Sequence, residues 1–382
     1  MSIFFSEDEQ DFHYNACVGE NTAGDNSFGY KWGFEQAVSI LSSAAIQGEY
    51  HDPTLNEEES QEYACLDVVI YPVCFCARHF IELFIKHHSK KILSLLKTKS
   101  KKLKSHGMFD MLKHVHGHNL NDLFNNLKEL AIALDSRLSS ELTPISEFIY
   151  EFSKIDPTGE VFRYHSDKEN NLHLSDVSRI NILNFHHSFK LLKYHTDKFD
   201  FFMDMITEEY KQGTYTENLS RNDICTLSKR LPAIDEWHDK TKVNKIKIEF
   251  SKEFDVSKRE IEKAIKIIRS NFEFSANIKS EIIIDAIALD SISLITRTDK
   301  DWHLLSEITD YEWHCLYSII ECGVGFTYCE TYSRHLDEFG TIYIDKNYIG
   351  RHVAILKTKF LKGLENLHQE TIITHYKKCI NL

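Results

Sequence analysis

The residues best suited to chemistry in this sequence lie in one strongly apolar segment, Tyr71–His88. The apolar positions surround the predicted helix on almost every side and are interrupted by four ionisable residues, Arg78, His79, Glu82 and Lys86. Charged groups are rarely buried unless they are paired, so this cluster must find partners. The i,i+4 spacing places Arg78 beside Glu82, and Glu82 beside Lys86, on one helical face. The pattern predicts either a ligand-contacting site or a buried polar network that fixes helix packing.

Histidine is abundant, with 21 residues, so short histidine motifs carry little information. The groupings that suggest a metal are His87-His88, His114-x-His116-x-His118 and His186-His187. Structural zinc needs about four convergent ligands, commonly arranged as two pairs on fixed elements. The sequence contains no HExxH motif and no CxxC pair, and it lacks a P-loop, a GxGxxG turn and a GxSxG elbow. We therefore predict no metal and no cofactor, and find no support for ATP, dinucleotide or serine-hydrolase chemistry.

The net charge of −13 argues against broad, nonspecific binding of nucleic acid or membrane by the whole surface. One local basic stretch lies between Ser89 and His106. Its lysines are Lys90, Lys91, Lys97, Lys99, Lys101, Lys102 and Lys104. Such a run is typical of a solvated helix end, with a ligand-binding patch as the alternative.

The predicted location is the cytoplasm, without membrane association. Apolar runs fall short of the roughly 18 to 20 residues that span a bilayer, and the acidic first thirty residues lack a signal pattern. The nine cysteines are scattered without a regular framework, which is typical of reduced, buried thiols.

Apolar periodicity predicts a mainly α-helical chain. The predicted helices of the first half cover Gly33–Gly48, a stretch from about Pro72, one that begins after the N-cap Asn119, and Pro144–Lys154. Asp176–Tyr210 is predicted to form one long helix or a pair of helices. A short extended piece is expected at Glu160–Tyr164, among turn residues. In the second half, capping boxes precede helices at Ser257 and Thr309, and a further helix covers Lys346–Leu367. β-Branched residues favour short strands near Val243–Phe250 and Ile282–Thr296.

Composition divides the chain into four parts. Residues 1–28 are expected to be irregular, 29–215 to form a helical bundle, 216–244 a polar linker around Pro232, and 245–382 a second, mostly helical domain. No internal repeat is present.

Four segments resemble the HEPN superfamily in order: GFEQAVSILSSA, YPVCFCARHFIELFIK, GHNLNDLF and VFRYHSD. The likeness is to uncharacterised bacterial proteins with RHxxEL, GHNL and FRYPxD motifs, and it covers about residues 30–210. HEPN domains are helical, are common in toxin–antitoxin and anti-phage systems, commonly dimerise, and include metal-independent ribonucleases. The resemblance therefore implies a HEPN-like bundle in the N-terminal domain.

Site residues carry over from the resemblance only where the motifs match. The matching positions are Arg78, His79, Glu82, His118, Asn119, Arg163, Tyr164 and Asp167. In a ribonuclease, Arg78 and Arg163 would hold phosphate, while His79 or His118 would act as acid or base. Glu82 would orient them, and Asp167 completes the implied site. His165 stands where the pattern has proline, so the resemblance does not fix the local backbone or the direction of Arg163.

The usual HEPN ribonuclease signature is arginine followed by four to six residues and histidine. Arg179…His186 and Arg297…His303 match it, but one or two matches are expected by chance in a chain with 21 histidines. The sequence therefore predicts two alternative functions. One is an RNA-acting effector of toxin or anti-phage defence, and the other is a non-catalytic scaffold or sensor subunit on a degenerate HEPN fold. RNA, a second copy of the chain or a partner protein of a defence system are the expected partners.

Overall fold

The computed structural model describes residues 13, 16, 27–48, 65–99, 117–284, 287–297, 307–324, 328–340 and 353–380. Within these ranges the chain is helical and forms no β-strand, which confirms the mainly α class. The chain divides into two compact units, Met1–Ile206 and Thr207–Leu382. The division falls inside a predicted helical region rather than at residue 215. The expectation of an irregular segment at 1–28 lies almost entirely outside the described residues.

Five helices make up the described part of the first unit, the last of them continuing past residue 206. They are α1 (Ser27–Gly48), α2 (Leu66–Lys99), α3 (Leu120–Leu134), α4 (Arg137–Ile155) and α5 (Ile182–Lys211). The second helix is central, because α1 and α3 both pack against it and its apolar face is buried.

Helix α2 begins at Leu66, six residues before the predicted start at Pro72. Proline removes one helical hydrogen bond, to the carbonyl four residues earlier. That residue, Val68, is exposed, so water can satisfy the freed carbonyl group. Among the described residues α2 is also long and apolar enough to span a bilayer, although half of its apolar window is buried within the protein. This helix corrects the expectation that no apolar run reaches that length.

Helix α3 begins as predicted. The side chain of Asn119 accepts a hydrogen bond from the backbone N–H of Asp122 at 3.2 Å and so caps the first turn. The apolar positions of the predicted stripe are all buried: Leu120, Leu123, Phe124, Leu127 and Leu130.

Other boundaries in the first unit differ from the prediction. The segment Glu160–Tyr164 is a turn rather than an extended piece, since the backbone N–H groups of Arg163 and Tyr164 both donate to the carbonyl of Glu160. Helix α4 starts at Arg137, before Pro144, and α5 starts at Ile182 rather than at Asp176. Asn181 accounts for the later start, because its side chain accepts from the N–H of Asn184 and caps the helix.

Nine helices follow in the described part of the second unit. They are α6 (Arg221–Arg230), α7 (Lys240–Glu253), α8 (Lys258–Ser270), α9 (Phe272–Asn277), α10 (Leu289–Arg297), α11 (Asp310–Cys322), α12 (Glu330–Asp337), α13 (Val353–Asn366) and α14 (Glu370–Ile380). A 3-10 helix, Ile234–His238, lies between α6 and α7. The capping box at Thr309 is confirmed, with both hydrogen bonds formed to Glu312. Ser257 caps α8 through the N–H of Glu260. The part of the predicted helix Lys346–Leu367 before Val353 lies outside the described residues.

Three predictions for this unit are wrong. Residues 216–244 are not a linker, because they contain α6 and contribute Leu219, Ile224 and Leu227 to a buried cluster. The segment predicted as a strand at 243–250 is part of α7, which buries Val243 and Phe250 at a spacing of seven residues. The N-cap Asp239 begins that helix. The second predicted strand, 282–296, instead contains most of α10.

Candidate functional site

Arg78 is the centre of the predicted site, and it is buried, with 1% of its surface exposed. Its Nη1 donates to Glu82 Oε2 at 2.8 Å, and its Nε donates to the carbonyl of Asp156 at 3.0 Å. Its Nη2 donates to the carbonyls of His118 at 2.6 Å and Pro157 at 3.1 Å. The guanidinium therefore joins α2 to the segment before α3 and the segment after α4. All three of its nitrogen atoms donate hydrogen bonds within the protein.

The loop after α4 is shaped to receive this guanidinium. Asp156 Oδ1 accepts from the backbone N–H groups of Gly159 at 2.7 Å and Val161 at 3.2 Å. Gly159 has a φ of +86°, a conformation that favours glycine, and its Cα faces the Arg78 guanidinium. The backbone N–H of Leu120 donates to Pro157 at 3.1 Å, which links the start of α3 to the same loop.

Glu82 is the second buried member of the network. Its Oε1 accepts from Lys86 Nζ at 2.7 Å and lies 2.9 Å from His118 Nδ1, while Oε2 pairs with Arg78. Burial alone would raise the pKa of Glu82, but hydrogen bonds from Lys86 and Arg78 outweigh burial and hold the pKa below its usual value. The carboxylate is therefore ionised at neutral pH and can orient an imidazole.

His118 contributes two different groups. Its backbone carbonyl accepts a hydrogen bond from Arg78, whereas its side chain is 67% exposed. A carboxylate at Nδ1 favours the tautomer with the proton on that nitrogen, which leaves the Nε2 lone pair available. The ring is thus oriented by a buried group and still reachable from solvent.

His79 lies on the same face of α2 as Glu82, about one helical turn away. Its ring contacts Phe34 of α1 edge to face, with centroids 4.4 Å apart, and stacks on Phe75 at 5.8 Å. Burial lowers the pKa of His79 below its ordinary value, and Arg78, Lys86 and Arg163 act in the same direction against Glu82. His79 is consequently neutral near pH 7 and half-buried between aromatic rings.

Arg163 is exposed and adds to this face from the turn after α4. Its guanidinium lies 5.6 Å from the centroid of Phe75 and 5.6 Å from that of Tyr164. Tyr164 is 57% exposed. We name the surface formed by Phe75, His79, Lys86, His118, Arg163 and Tyr164 the α2 stripe. It combines cations, aromatic rings and an oriented imidazole.

Asp167 is not part of this arrangement. Its carboxylate accepts from the backbone N–H groups of Glu169 at 2.8 Å and Asn171 at 2.9 Å, and from the side-chain amide of Asn171 at 2.9 Å. The hydrogen bonds from Asn171 hold the pKa of Asp167 below its usual value. These contacts are those of a turn, and within the described residues they do not connect Asp167 to Arg78.

The two arginine–histidine matches are not assembled into a common site. His186 is buried and its Nδ1 lies 2.7 Å from Ser42 Oγ on α1. Arg179 is exposed and lines a separate pocket that does not include His186. Arg297 ends α10, while His303 lies outside the described residues.

The histidine groupings likewise form no metal site among the described residues, where no cluster of three or more His, Cys, Asp or Glu side chains occurs. His114 and His116 lie outside these residues. His87 and His88 point to different partners, Ser27 and Asp200 respectively.

Sequence reasoning missed a buried cluster on the other side of α2. His88 Nε2 lies 2.6 Å from Asp200 Oδ1 of α5, and Lys31 of α1 pairs with Oδ2 of the same carboxylate. Burial lowers the pKa of His88 to about 4, and among the described residues its Nδ1 has no hydrogen-bond partner. In the sequence, Lys31 is an isolated cation at the otherwise apolar start of a helix. This pattern could have indicated that Lys31 pairs with a carboxylate.

A second missed cluster lies in the other unit. Arg221 Nε donates to Glu330 Oε1 at 2.9 Å and its Nη2 to Glu273 Oε2 at 2.7 Å. Thr214 and Asn271 also donate to Glu330, at 2.7 and 2.8 Å. Burial opposes the charge on Arg221, but Glu330 outweighs it and raises the pKa of the arginine. These five residues thus pair with one another and hold α6, α9 and α12 together.

Comparison with family models, curated proteins and solved structures gives no match to this chain.

Proposed function

We propose that the first unit is a HEPN-like effector of bacterial toxin or anti-phage defence that binds single-stranded RNA on the α2 stripe and cleaves it without a metal. One observation carries the proposal. The His118 ring is held at Nδ1 by the ionised Glu82, 2.9 Å away, while the side chain is largely exposed. An imidazole oriented by a carboxylate and open to substrate is the arrangement that general-base catalysis requires.

The reaction assigns one role to His118. Its Nε2 takes the proton from a ribose 2′-hydroxyl, and the resulting oxygen attacks the adjacent phosphorus. The bond from phosphorus to the 5′-oxygen breaks, and that oxygen takes a proton from a water molecule, which in turn recovers the proton held by His118. The products are a 2′,3′-cyclic phosphate and a 5′-hydroxyl end. His79 is the weaker candidate base, because it is half-buried between Phe34 and Phe75.

Arg78 does not take the phosphate-binding role that the resemblance implies. Its guanidinium is sealed and bound to three backbone carbonyls and Glu82, so it acts as a positioning residue. Arg163 is the exposed cation of the stripe, and Lys86, whose side chain is 20% exposed and pairs with Glu82, is the second. Phe75 and Lys86 lie eleven residues apart on one face, which corresponds to about 17 Å at the helical rise of about 1.5 Å per residue. The exposed Tyr164 ring and the half-buried Phe75 ring lie beside the Arg163 cation, an arrangement that suits stacked bases and a phosphate backbone.

The test is cleavage of a labelled single-stranded RNA by purified protein in the presence of a chelator. We expect cyclic-phosphate ends from the wild type and a loss of at least about 100-fold in H118A, the usual contribution of a general base. H187A is the matched control, because His187 is an exposed histidine on α5 outside the stripe. It should cleave normally.

Two further variants separate the roles. E82Q keeps the shape of the carboxylate but removes its charge, so it should lower the rate and shift the pH profile of cleavage. R163Q should weaken RNA binding while the rate at saturating RNA changes less. Absence of cleavage by the wild type, or equal rates in H118A and wild type, would exclude the catalytic proposal.

A non-catalytic scaffold or sensor subunit is the second candidate, favoured by an exposed apolar face. Leu183, Leu191, Tyr194 and Phe201 are 45–63% exposed. Their spacing of eight, three and seven residues places them on one side of α5. Exposed apolar patches of this kind are typical of contacts with another protein, here a second copy of the chain.

The oligomeric state tests this candidate. The wild type should have the mass of a dimer in solution, and the double variant L191E/F201E should be a monomer. I132E is the control, because Ile132 is a comparably exposed apolar residue on α3. A scaffold should leave growth unaffected when expressed alone, whereas an RNA-cleaving toxin should inhibit it. A monomeric wild type would contradict the dimer.

A further inference from the structure

The first unit contains an aromatic pocket separate from the α2 stripe. It has a volume of about 320 Å³ and lies among α2, α4, α5 and the segment that precedes α5. Five phenylalanine rings contribute to its wall: Phe148, Phe152, Phe162, Phe185 and Phe189. This volume is at the lower end of the range of about 300 to 1,000 Å³ that is typical of small-molecule sites.

The polar groups of the pocket are few and lie toward its edge. Arg179, Asn181, Asn184, Ser188 and Glu151 line it beside the aromatic wall. The Asn181 side chain is already used in capping α5, since it accepts from the N–H of Asn184 at 2.9 Å. A largely apolar wall with a few polar groups is the usual composition of a small-molecule site.

Arg179 is the group best placed to select a ligand. It is exposed, and within the described part of the chain its side chain forms no ion pair. It also lines a neighbouring cavity of about 640 Å³, together with Phe162 and Asn181. Arg179 therefore lies where the aromatic pocket meets the wider cavity, within reach of a ligand's polar end. A guanidinium binds a carboxylate through two parallel hydrogen bonds.

We propose that this pocket binds a small aromatic carboxylate, with its ring among the phenylalanines and its carboxylate on Arg179. Aromatic rings pack well edge to face, as Phe152 and Phe185 already do with centroids 6.1 Å apart. Of the described residues that line the pocket, Glu151 is the one acidic group, and it also lines the outer surface of α4. The proposal does not depend on RNA cleavage, because His118 does not line the pocket.

The probes are three molecules with the same ring and different charge: indole-3-acetate, indole-3-acetamide and tryptamine. Binding to the full chain is measured by calorimetry or by ligand-detected NMR. We expect indole-3-acetate to bind most tightly, the neutral amide more weakly and the cation most weakly. Preference for tryptamine would mean that Glu151 dominates the site, and it would overturn the proposal.

Variants then assign the binding energy to the pocket. R179Q should weaken indole-3-acetate binding by about tenfold or more, the scale of a charge-assisted pair, and should leave the amide unchanged. K190Q is the matched control, because Lys190 is an exposed cation on α5 that does not line the pocket. It should bind all three probes as the wild type does.

A variant that fills the aromatic pocket tests where the probes bind. Ser188 is an exposed lining residue, so S188W should occupy the pocket and abolish binding of all three probes while the far-ultraviolet circular dichroism and melting temperature stay close to wild type. Unchanged binding in S188W would place the probes elsewhere. Equal losses of acetate and amide in R179Q, or no saturable binding of any probe to the wild type, would also reject the proposal.

Discussion

At the scale of single residues, Arg78 illustrates how a conspicuous charge can be structural. Its four hydrogen bonds reach one carboxylate and three backbone carbonyls, and almost none of its surface is exposed. A ligand would have to displace these bonds to reach the guanidinium. The accessible reactive group is the His118 imidazole, and the buried Arg78–Glu82 pair determines where that ring points.

Replacing Arg78 by methionine should destabilise the first unit severely. The change leaves Glu82 buried with one cation fewer and deprives the loop carbonyls of their donor. Breaking a buried pair costs about 3–5 kcal/mol. The measurement is the free energy of unfolding in urea.

Arg163 provides the comparison for that experiment. R163M removes the same charge from an exposed position, where substitutions usually change stability by less than about 0.5 kcal/mol. If R78M were as stable as R163M, the guanidinium would not hold the loops, and a ligand-binding role for Arg78 would regain support.

At the scale of elements, the His88–Asp200–Lys31 cluster ties α1, α2 and α5 together and should make the stability depend on pH. The ordinary pKa of histidine, about 6.5, applies to the unfolded chain, whereas burial lowers that of His88 to about 4. Between these values the unfolded state binds the proton and the folded state does not. By linkage, stability is fully present above about pH 6.5 and falls as the pH decreases toward 4.

H88Q should flatten this part of the stability curve, because glutamine can still donate to Asp200 but does not titrate. The measurement is the urea midpoint at several pH values between 4 and 7. H187Q serves as the control, since His187 is exposed, and should retain the wild-type slope. A wild-type curve that is flat in this interval would contradict the assigned pKa.

Helices α11 and α13 approach so closely that only glycine fits at their contact. A Cβ on Gly363 would overlap the carbonyl oxygen of Ile319, and one on Gly323 would overlap that of Lys359. Because backbone atoms cannot move aside as a flexible side chain can, G363A should cost at least about 3 kcal/mol, at the upper end of overpacking effects.

Gly33 is the matched case for this substitution. It also lies within a helix, but a Cβ there meets nothing within 4 Å. G33A should therefore stabilise the protein, by up to about 1 kcal/mol, through helix propensity alone. Chemical denaturation of both variants measures the difference, and equal effects would contradict the close approach of α11 and α13.

At the scale of the whole molecule, the chain forms two compact units, each with its own buried polar cluster. Arg78 belongs to the first and Gly363 to the second. We therefore expect R78M to raise amide hydrogen exchange within residues 27–206 and G363A to raise it within residues 207–380. Mass spectrometry of peptides from each variant makes the comparison. Increased exchange over both ranges in either variant would show that the two units open together.

The sequence by itself determined the helical class, the burial of α2, the cap at Asn119 and the pairing of Arg78 with Glu82. These follow from local periodicity and from spacings of three or four residues, which act within one helix. It misplaced the linker at 216–244 and the strands at 243–250 and 282–296. In those segments, side-chain burial within the unit outweighed polarity and β-propensity.

Only the tertiary structure decided which distant groups meet. Arg78 could have faced solvent, but it takes its carbonyl partners from His118, Asp156 and Pro157, about 40 to 79 residues away. The pairing of His88 with Asp200, across 112 residues, likewise left no local pattern. Contacts of this kind depend on how whole helices pack, and helix packing is fixed by the summed burial of many side chains rather than by any short motif.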